Sequence, residues 1–185
     1  PAVNADFDAG FYALTRHMLS TGRKRITLHL AWQPNANWHS ILRYRGFCRA
    51  IGDAGGVIHP PLSLKEYRKR WKRSGIQGEV LFTEIRVPDI YERLRQEYEQ
   101  LFRSGFETDG IVASNDQYAA AIINTAIRCG VRVPETLAVS GFDDSQLALL
   151  SPVPMTSASQ ESELTCQLAI QLLMDRMKGN REPGR

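Results

Sequence analysis

Residues 109–160 read DGIVASNDQYAAAIINTAIRCGVRVPETLAVSGFDDSQLALLSPVPMTSASQ. Three apolar runs stand in this stretch, at 111–113, at 137–139 and, more weakly, at 155–159. Between the first two, Ala119, Ile122, Ile123, Ala126 and Ile127 recur at helical spacing. Asn115 stands where that helix must start and suits an N-cap; Arg128 and Gly130 supply a basic last turn and a glycine stop. The unit is strand–helix–strand, and such a crossover joins parallel strands. Ligands of open parallel sheets gather beyond the carboxyl ends of the strands. Asn115 follows one such end and Asp143 the next, so a small-molecule site is expected there.

The same alternation continues towards the amino terminus. After an extended lead-in at 1–6, residues 8–20 predict a helix with Phe11, Leu14 and Met18 on one face and Gly22 as its stop. ITLHL at 26–30 is a short strand, and the loop AWQPNANWH at 31–39 leaves its carboxyl end. Ser40 is expected to cap the next helix, whose apolar stripe is Tyr44, Phe47, Cys48 and Ile51. Residues 57–62 form a poor, proline-broken strand and 79–83 (EVLFT) a better one. Pro88 takes the first position of a helix with Ile90, Leu94, Tyr98 and Leu101 on its core face. A last helix spans 160–178, with Leu164, Leu168 and Leu172 as its stripe, and the tail 180–185 is polar. Sustained alternation of strand and helix predicts a three-layer α/β/α domain with a mostly parallel sheet.

Composition narrows the function classes. The chain has 185 residues, enough for one ordinary core, with 43% apolar and 23% charged residues, which are globular values. A formal net charge of +3 does not by itself imply nucleic acid. The most basic segment, LKEYRKRWKR at 64–73, holds six Lys or Arg in ten residues. Leu64, Tyr67 and Trp71 give it one apolar edge, so it reads as a helix with a solvated face and not as a DNA-contacting surface. Cys48, Cys129 and Cys166 are odd in number and widely spaced, which fits reduced thiols and a cytoplasmic setting. No run approaches the length of a membrane span, and no signal peptide is visible.

Catalytic and cofactor signatures are missing. The four histidines, His17, His29, His39 and His59, lack metal-ligand spacing. No GxGxxG, P-loop or GxSxG occurs, and the adjacent carboxylates Asp143 and Asp144 point apart in any extended segment. Neither an enzyme nor a resident cofactor or metal is expected.

Four pieces carry a family likeness: Ser114-Asn115-Asp116; Gly130 with Val133-Pro134-Glu135; Gly141-Phe142-Asp143-Asp144-Ser145; and Pro154-Met155-Thr156 followed by Gln160. In this order and spacing the chain resembles the LacI/GalR family of bacterial transcriptional regulators. Arg43-x-x-Gly46-Phe47 and Val3-x-x-Asp6 with Gly10 extend the likeness, whereas 55–83 matches loosely. The resemblance implies a periplasmic-binding-protein-like (type I) lobe within a longer protein, preceded by a helix-turn-helix DNA-binding domain and half of a second lobe. It assigns 1–20 to a helix of the other lobe, 21–158 to the C-terminal lobe, and 159–185 to a helix returning to the other lobe. It also implies a homodimer that reads operator DNA only through the missing domain. A periplasmic sugar-binding protein of an ABC transporter is the alternative.

By motif, the resemblance puts Asp6, Arg43, Asn115, Asp143 and Gln160 on a small-molecule effector; Asn37, Trp38, His39, Thr83 and Glu84 leave other strand ends and, with Phe142, are candidates to line the same cleft. Trp32, Trp38 or Phe142 could stack on a ring. Carboxylates accept from paired hydroxyls, a guanidinium donates a fork and amides do both, a donor and acceptor set suited to a sugar or related polyol. Each residue also has a plain alternative: Asn115 as a helix cap only, Asp143 as a turn residue only.

Overall fold

The computed structural model describes residues 3–31, 37–64, 75–83 and 90–179. Helix α1 (Phe7–Ser20) leads to β1 (Arg25–Leu30), α2 (Trp38–Asp53), β2 (Val57–Ile58), β3 (Leu62–Ser63) and β4 (Gln77–Phe82). Then come α3 (Ile90–Arg103), β5 (Gly110–Ala113), α4 (Asp116–Arg128), β6 (Ala138–Asp143), α5 (Gln146–Leu150), β7 (Thr156–Ser159) and α6 (Ser162–Met177). The described strands form one seven-stranded sheet in the order β2-β4-β1-β5-β6-β7, with β3 also on β4, and the pairings are parallel.

Alternation along the strands splits the core in two. Ile26, Leu28 and Leu30 of β1 point to the face covered by α1 and α2, where they meet Phe11, Phe47, Val80 and Phe142. Leu81, Ile111 and Val139 point to the other face, under α3 and α4, with Leu94, Tyr98, Ile122 and Ala126. This is the period-two pattern of a sheet buried on both sides. The two ends of the sheet differ. At the amino ends, Asp109 accepts from the backbone N–H groups of Lys24 and Arg25 at 2.9–3.1 Å. Arg23 donates to the carbonyls of Pro134 and Glu135 at 2.6 and 3.1 Å, which gives the Val133-Pro134-Glu135 piece a structural role.

Several local expectations are corrected. Asn37, not Ser40, caps α2: its Oδ1 accepts from the Ser40 N–H at 2.8 Å, the N3 donor that a cap serves. Residues 57–62 give β2 and the start of β3, a two-residue strand each, split at Pro60 and Pro61; proline cannot donate to a ladder. A short helix, α5, appears where no pattern announced it. All of the basic segment 64–73 except the buried Leu64, together with Trp32, Glu84 and Pro88, lies outside the described residues.

The first helix packs on this sheet. Phe7, Phe11, Leu14 and Met18 are buried, and α1 lies against α2 with Gly46 at the crossing. A Cβ on Gly46 would fall 2.2 Å from the Asp8 carbonyl oxygen, so the close approach needs glycine. The Asp8 carboxylate bridges the same two helices by accepting from Arg45 and Arg49. The apolar stripe of α1 is thus covered among the described residues.

Candidate functional site

Strands β1 and β5 are neighbours, yet the helices that follow them leave on opposite faces. Helix α2 leads back towards β2 past β4, while α4 leads forward to β6. Crossovers that part in this way open a crevice at the carboxyl edge of the sheet, the topological switch point. A cavity of about 280 Å3 occupies it, lined by Leu30, Ala31, Asn37, His39, Ser40, Arg43, Ser114, Asn115 and Tyr118. That is near the lower end of the roughly 300–1,000 Å3 typical of small-molecule sites.

Two helix amino termini meet at this cavity. Asn115 Oδ1 accepts from the Tyr118 N–H at 2.8 Å, as Asn37 does from Ser40. Each cap commits its carbonyl oxygen and leaves the amide NH2 as the group that can donate to a ligand. Capping and ligand contact are therefore compatible for Asn115. Arg43 holds its guanidinium carbon 4.4 Å from the Phe7 ring centroid and 5.6 Å from that of Phe11. The stack fixes the guanidinium plane.

Polar groups at the wall are left unsatisfied. Arg43 Nε and the buried Ser114 Oγ have no hydrogen-bond partner among the described residues, and Ser114 is only 4% exposed. Buried polar groups without partners are uncommon and call for an explanation. Electrostatics follow from burial. Desolvation pulls the Arg43 pKa down while the Asp143 charge pulls it up. Desolvation and then the Arg43 charge lower His39, which leaves a neutral ring offering one donor and one acceptor. Below the cavity, burial pushes His29 down to about 3; its Nδ1 lies 3.0 Å from Tyr98 Oη, and its ring is 5.6 Å from that of Tyr118.

Asp143 and Gln160 sit together on the neighbouring strand ends, where Gln160 Nε2 donates to Asp143 Oδ1. Asp143 is half-buried and outside the cavity lining, but its charge is felt by Arg43. Burial raises its carboxyl pKa, the Gln160 bond lowers it, the Asp116 charge raises it and Arg43 lowers it; the net is upward.

Of the residues anticipated, then, Arg43, Asn115, Asn37 and His39 line one cavity, and Asp143 with Gln160 forms a pair beside it. Asp6 is an exposed cap of α1, accepting from the Ala9 N–H at 2.9 Å, and is not in the lining. Trp38 is exposed and rests against the His39 ring at 4.0 Å. Phe142 is stacked on Phe11 at 5.1 Å inside the core, so its ring is closed to a ligand. Thr83 is buried beside the end of β1, with its N–H on the Leu30 carbonyl. Ser114, Ser40 and Tyr118 line the cavity without having been named as site residues. The signal for Ser114 was its place directly after an apolar strand, and for Tyr118 its position one turn into the capped helix.

Residues 15–185 match the sequence family described as the periplasmic binding protein-like domain. An HTH-type transcriptional regulator, CelR, of Thermobifida fusca is 39% identical over 179 residues, spanning 96% of this chain and 45% of that protein. The ribose operon repressor of Bacillus subtilis is 40% identical over 104 residues, 55% of this chain and 32% of its own length. Among solved structures, a CelR–cellobiose complex superposes with a TM-score of 0.72 at 25% identity, over 96% of this chain and 47% of that one. A dimeric lac repressor does so at 0.75 and 18% identity, over 97% and 57%, a likeness of fold alone. The chain thus spans about half the length of such relatives, and it belongs to the periplasmic binding protein-like domain family in the form carried by LacI/GalR-type transcriptional regulators.

Proposed function

We propose that this chain is the effector-sensing part of a LacI/GalR-type bacterial transcriptional regulator, and that a sugar or related polyol binds at the crevice between β1 and β5. The observation that carries this reading is the polar cavity at the switch point, with Arg43 Nε and Ser114 Oγ unpartnered at its wall among the described residues. Ligand hydroxyls both donate and accept, so they can satisfy a guanidinium, two cap amides and a serine at once. Arg43, Asn115, Asn37 and His39 make the direct contacts, and Asp143 with Gln160 reaches the ligand from the adjoining strand ends. The cellobiose complex of one relative and the ribose operon repressors among the others favour a sugar over a nucleobase.

The ligand favours one arrangement of two lobes over another, and that difference in binding free energy shifts the population competent for operator DNA. In this reading 21–158 is the C-terminal lobe and 159–185 returns to a second lobe that covers α6, while 1–20, assigned by resemblance to that second lobe, carries α1, which rests on the sheet of the first. DNA is read through a separate domain of the whole protein, which works as a homodimer in the cytoplasm and performs no catalysis. Among the described residues no helix is long and apolar enough to cross a membrane. The transporter alternative has less behind it, because the relatives matched are named as regulators.

Calorimetry on the whole protein against cellobiose, ribose, a sugar phosphate and adenine tests the reading. A sugar should bind, and Arg43→Ala or Asp143→Asn should weaken it by about 1.5–3 kcal/mol, roughly ten- to a hundredfold. Adenine binding with no response to any sugar would overturn the ligand class. Unchanged affinity in both variants would move the site elsewhere.

A further inference from the structure

The carboxylate of Asp116 belongs to no step of the reading above, yet it is the most heavily bonded acid among the described residues around the site. It is 1% exposed, at the first position of α4 and next to the cap Asn115. Its Oδ2 accepts from the Ser145 N–H at 2.7 Å and from Ser145 Oγ at 2.8 Å. Its Oδ1 accepts from Ser157 Oγ at 2.6 Å, and Ser157 Oγ in turn accepts from the Asp144 N–H at 3.0 Å. One side chain thereby joins the start of α4, the turn after β6, and β7. Gly141 makes room for it, since a Cβ there would lie 2.1 Å from Asp116 Oδ1.

The turn that Asp116 holds is strained. Asp143 has φ 117° and Asp144 has φ 50°, a region that side-chain-bearing residues seldom adopt. Such a conformation persists when surrounding bonds over-determine it. The bonds that do so are those on either side of Asp143–Asp144: Ser145 to Asp116, and Asp144 through Ser157 to Asp116.

We propose that Asp116 is a positioning residue of the effector site: it braces the Asp143–Asp144 turn against the amino end of α4 and so sets Asp143 relative to Asn115 and Arg43. The inference rests on the ligand reading of the neighbouring cavity, but the brace itself can be tested without a ligand. A buried acid that only supported the fold would alter global stability; a brace alters local opening and affinity.

The experiment compares the whole wild-type protein with Asp116→Asn and with Ser157→Ala, which keeps the charge and cuts one arm. Amide exchange is read at Asp144, Ser145 and, as a control, Ile122 and Ile123 inside α4; cellobiose affinity is measured by calorimetry. The expected result is at least tenfold faster exchange at Asp144 and Ser145 in Asp116→Asn, unchanged exchange at Ile122 and Ile123, and at least tenfold weaker cellobiose binding. Ser157→Ala should speed exchange at Asp144 more than at Ser145. Unchanged exchange at Asp144 and Ser145 in both variants overturns the brace. Faster exchange with wild-type affinity, while Arg43→Ala weakens binding as expected, overturns its role in the site. A wild-type protein that takes no sugar counts against the ligand reading, and the exchange result then decides the brace alone.

Discussion

Helices α1 and α6 are both rich in apolar residues, yet one is sealed into the fold and the other stands clear of it. In α1, Phe7, Phe11, Leu14 and Met18 recur at steps of four, three and four and are all buried. In α6, Leu164, Leu168, Ile170, Leu173, Met174 and Met177 are scattered round the axis; all are exposed, and no described residue of the helix is fully buried. A focused stripe can lie on a flat sheet, whereas apolar residues on several faces need partners on several sides. Exposed apolar surface of this extent marks an interface. The lesson is that apolar content predicts burial only where its angular spread matches the surface on offer.

The sharpest way to break the contrast is Phe11→Ala. Phe11 is 0% exposed and touches Phe142, so truncation should destabilise by about 3–5 kcal/mol, read as the shift of a urea unfolding midpoint. A loss below about 1 kcal/mol would mean that α1 is not part of this core. Next comes Gly46→Ala, which sets a methyl against the Asp8 backbone and should cost about 1–3 kcal/mol by forcing α1 and α2 apart.

Acid sensitivity sharpens the same comparison, because α1 carries an ion bridge whose acid is buried while its two arginines reach solvent. Burial alone would raise the Asp8 pKa, but the bonds and charges of Arg45 and Arg49 outweigh it, and the net shift from 3.8 is downward. A depressed folded pKa contributes stability that is present above the unfolded value and is lost as pH falls through the folded one. Asp8→Asn should therefore flatten the loss of stability below about pH 4, as seen in the pH dependence of the thermal midpoint. Equal acid sensitivity in wild type and variant would assign it to other groups.

The smallest effect is expected in α6. Leu168→Ser and Leu173→Ser, at positions 50% and 61% exposed, should change stability by no more than about 0.5 kcal/mol. They should reduce self-association of this chain in sedimentation velocity at micromolar concentration. Unaltered association in the double variant would place the sticky surface elsewhere, with the exposed Leu149 and Leu150 of α5 the next to test.

Much of the scaffold was legible from local pattern. The run at 111–113, the stripe after Asn115 and the glycine at 130 correspond to β5, α4 and a left-handed turn at φ 76°. Asn115 was correctly read as a cap, and it also lines the cavity. Ser40 misled because a serine before an apolar stripe resembles a cap, while the asparagine three residues earlier takes that place. Phe142 misled because its position beside Asp143 suggested the site, but strand alternation turns its ring to the opposite side, onto Phe11.

What the chain determined by itself is what short-range chemistry controls: which segments are strands or helices, where asparagine starts a helix, and hence that successive strands run parallel and open a site at their carboxyl ends. What only the tertiary structure decided is which apolar faces find cover and which polar atoms converge. Asp116 meets Ser145 and Ser157 across 29 and 41 residues of sequence, and Asp8 meets Arg45 across 37. No periodicity encodes those meetings. The Asp116 meetings arise because the order of strands in the sheet brings distant turns to one edge, where burial makes an unpaired polar group costly; the Asp8 meeting arises because α1 packs against α2.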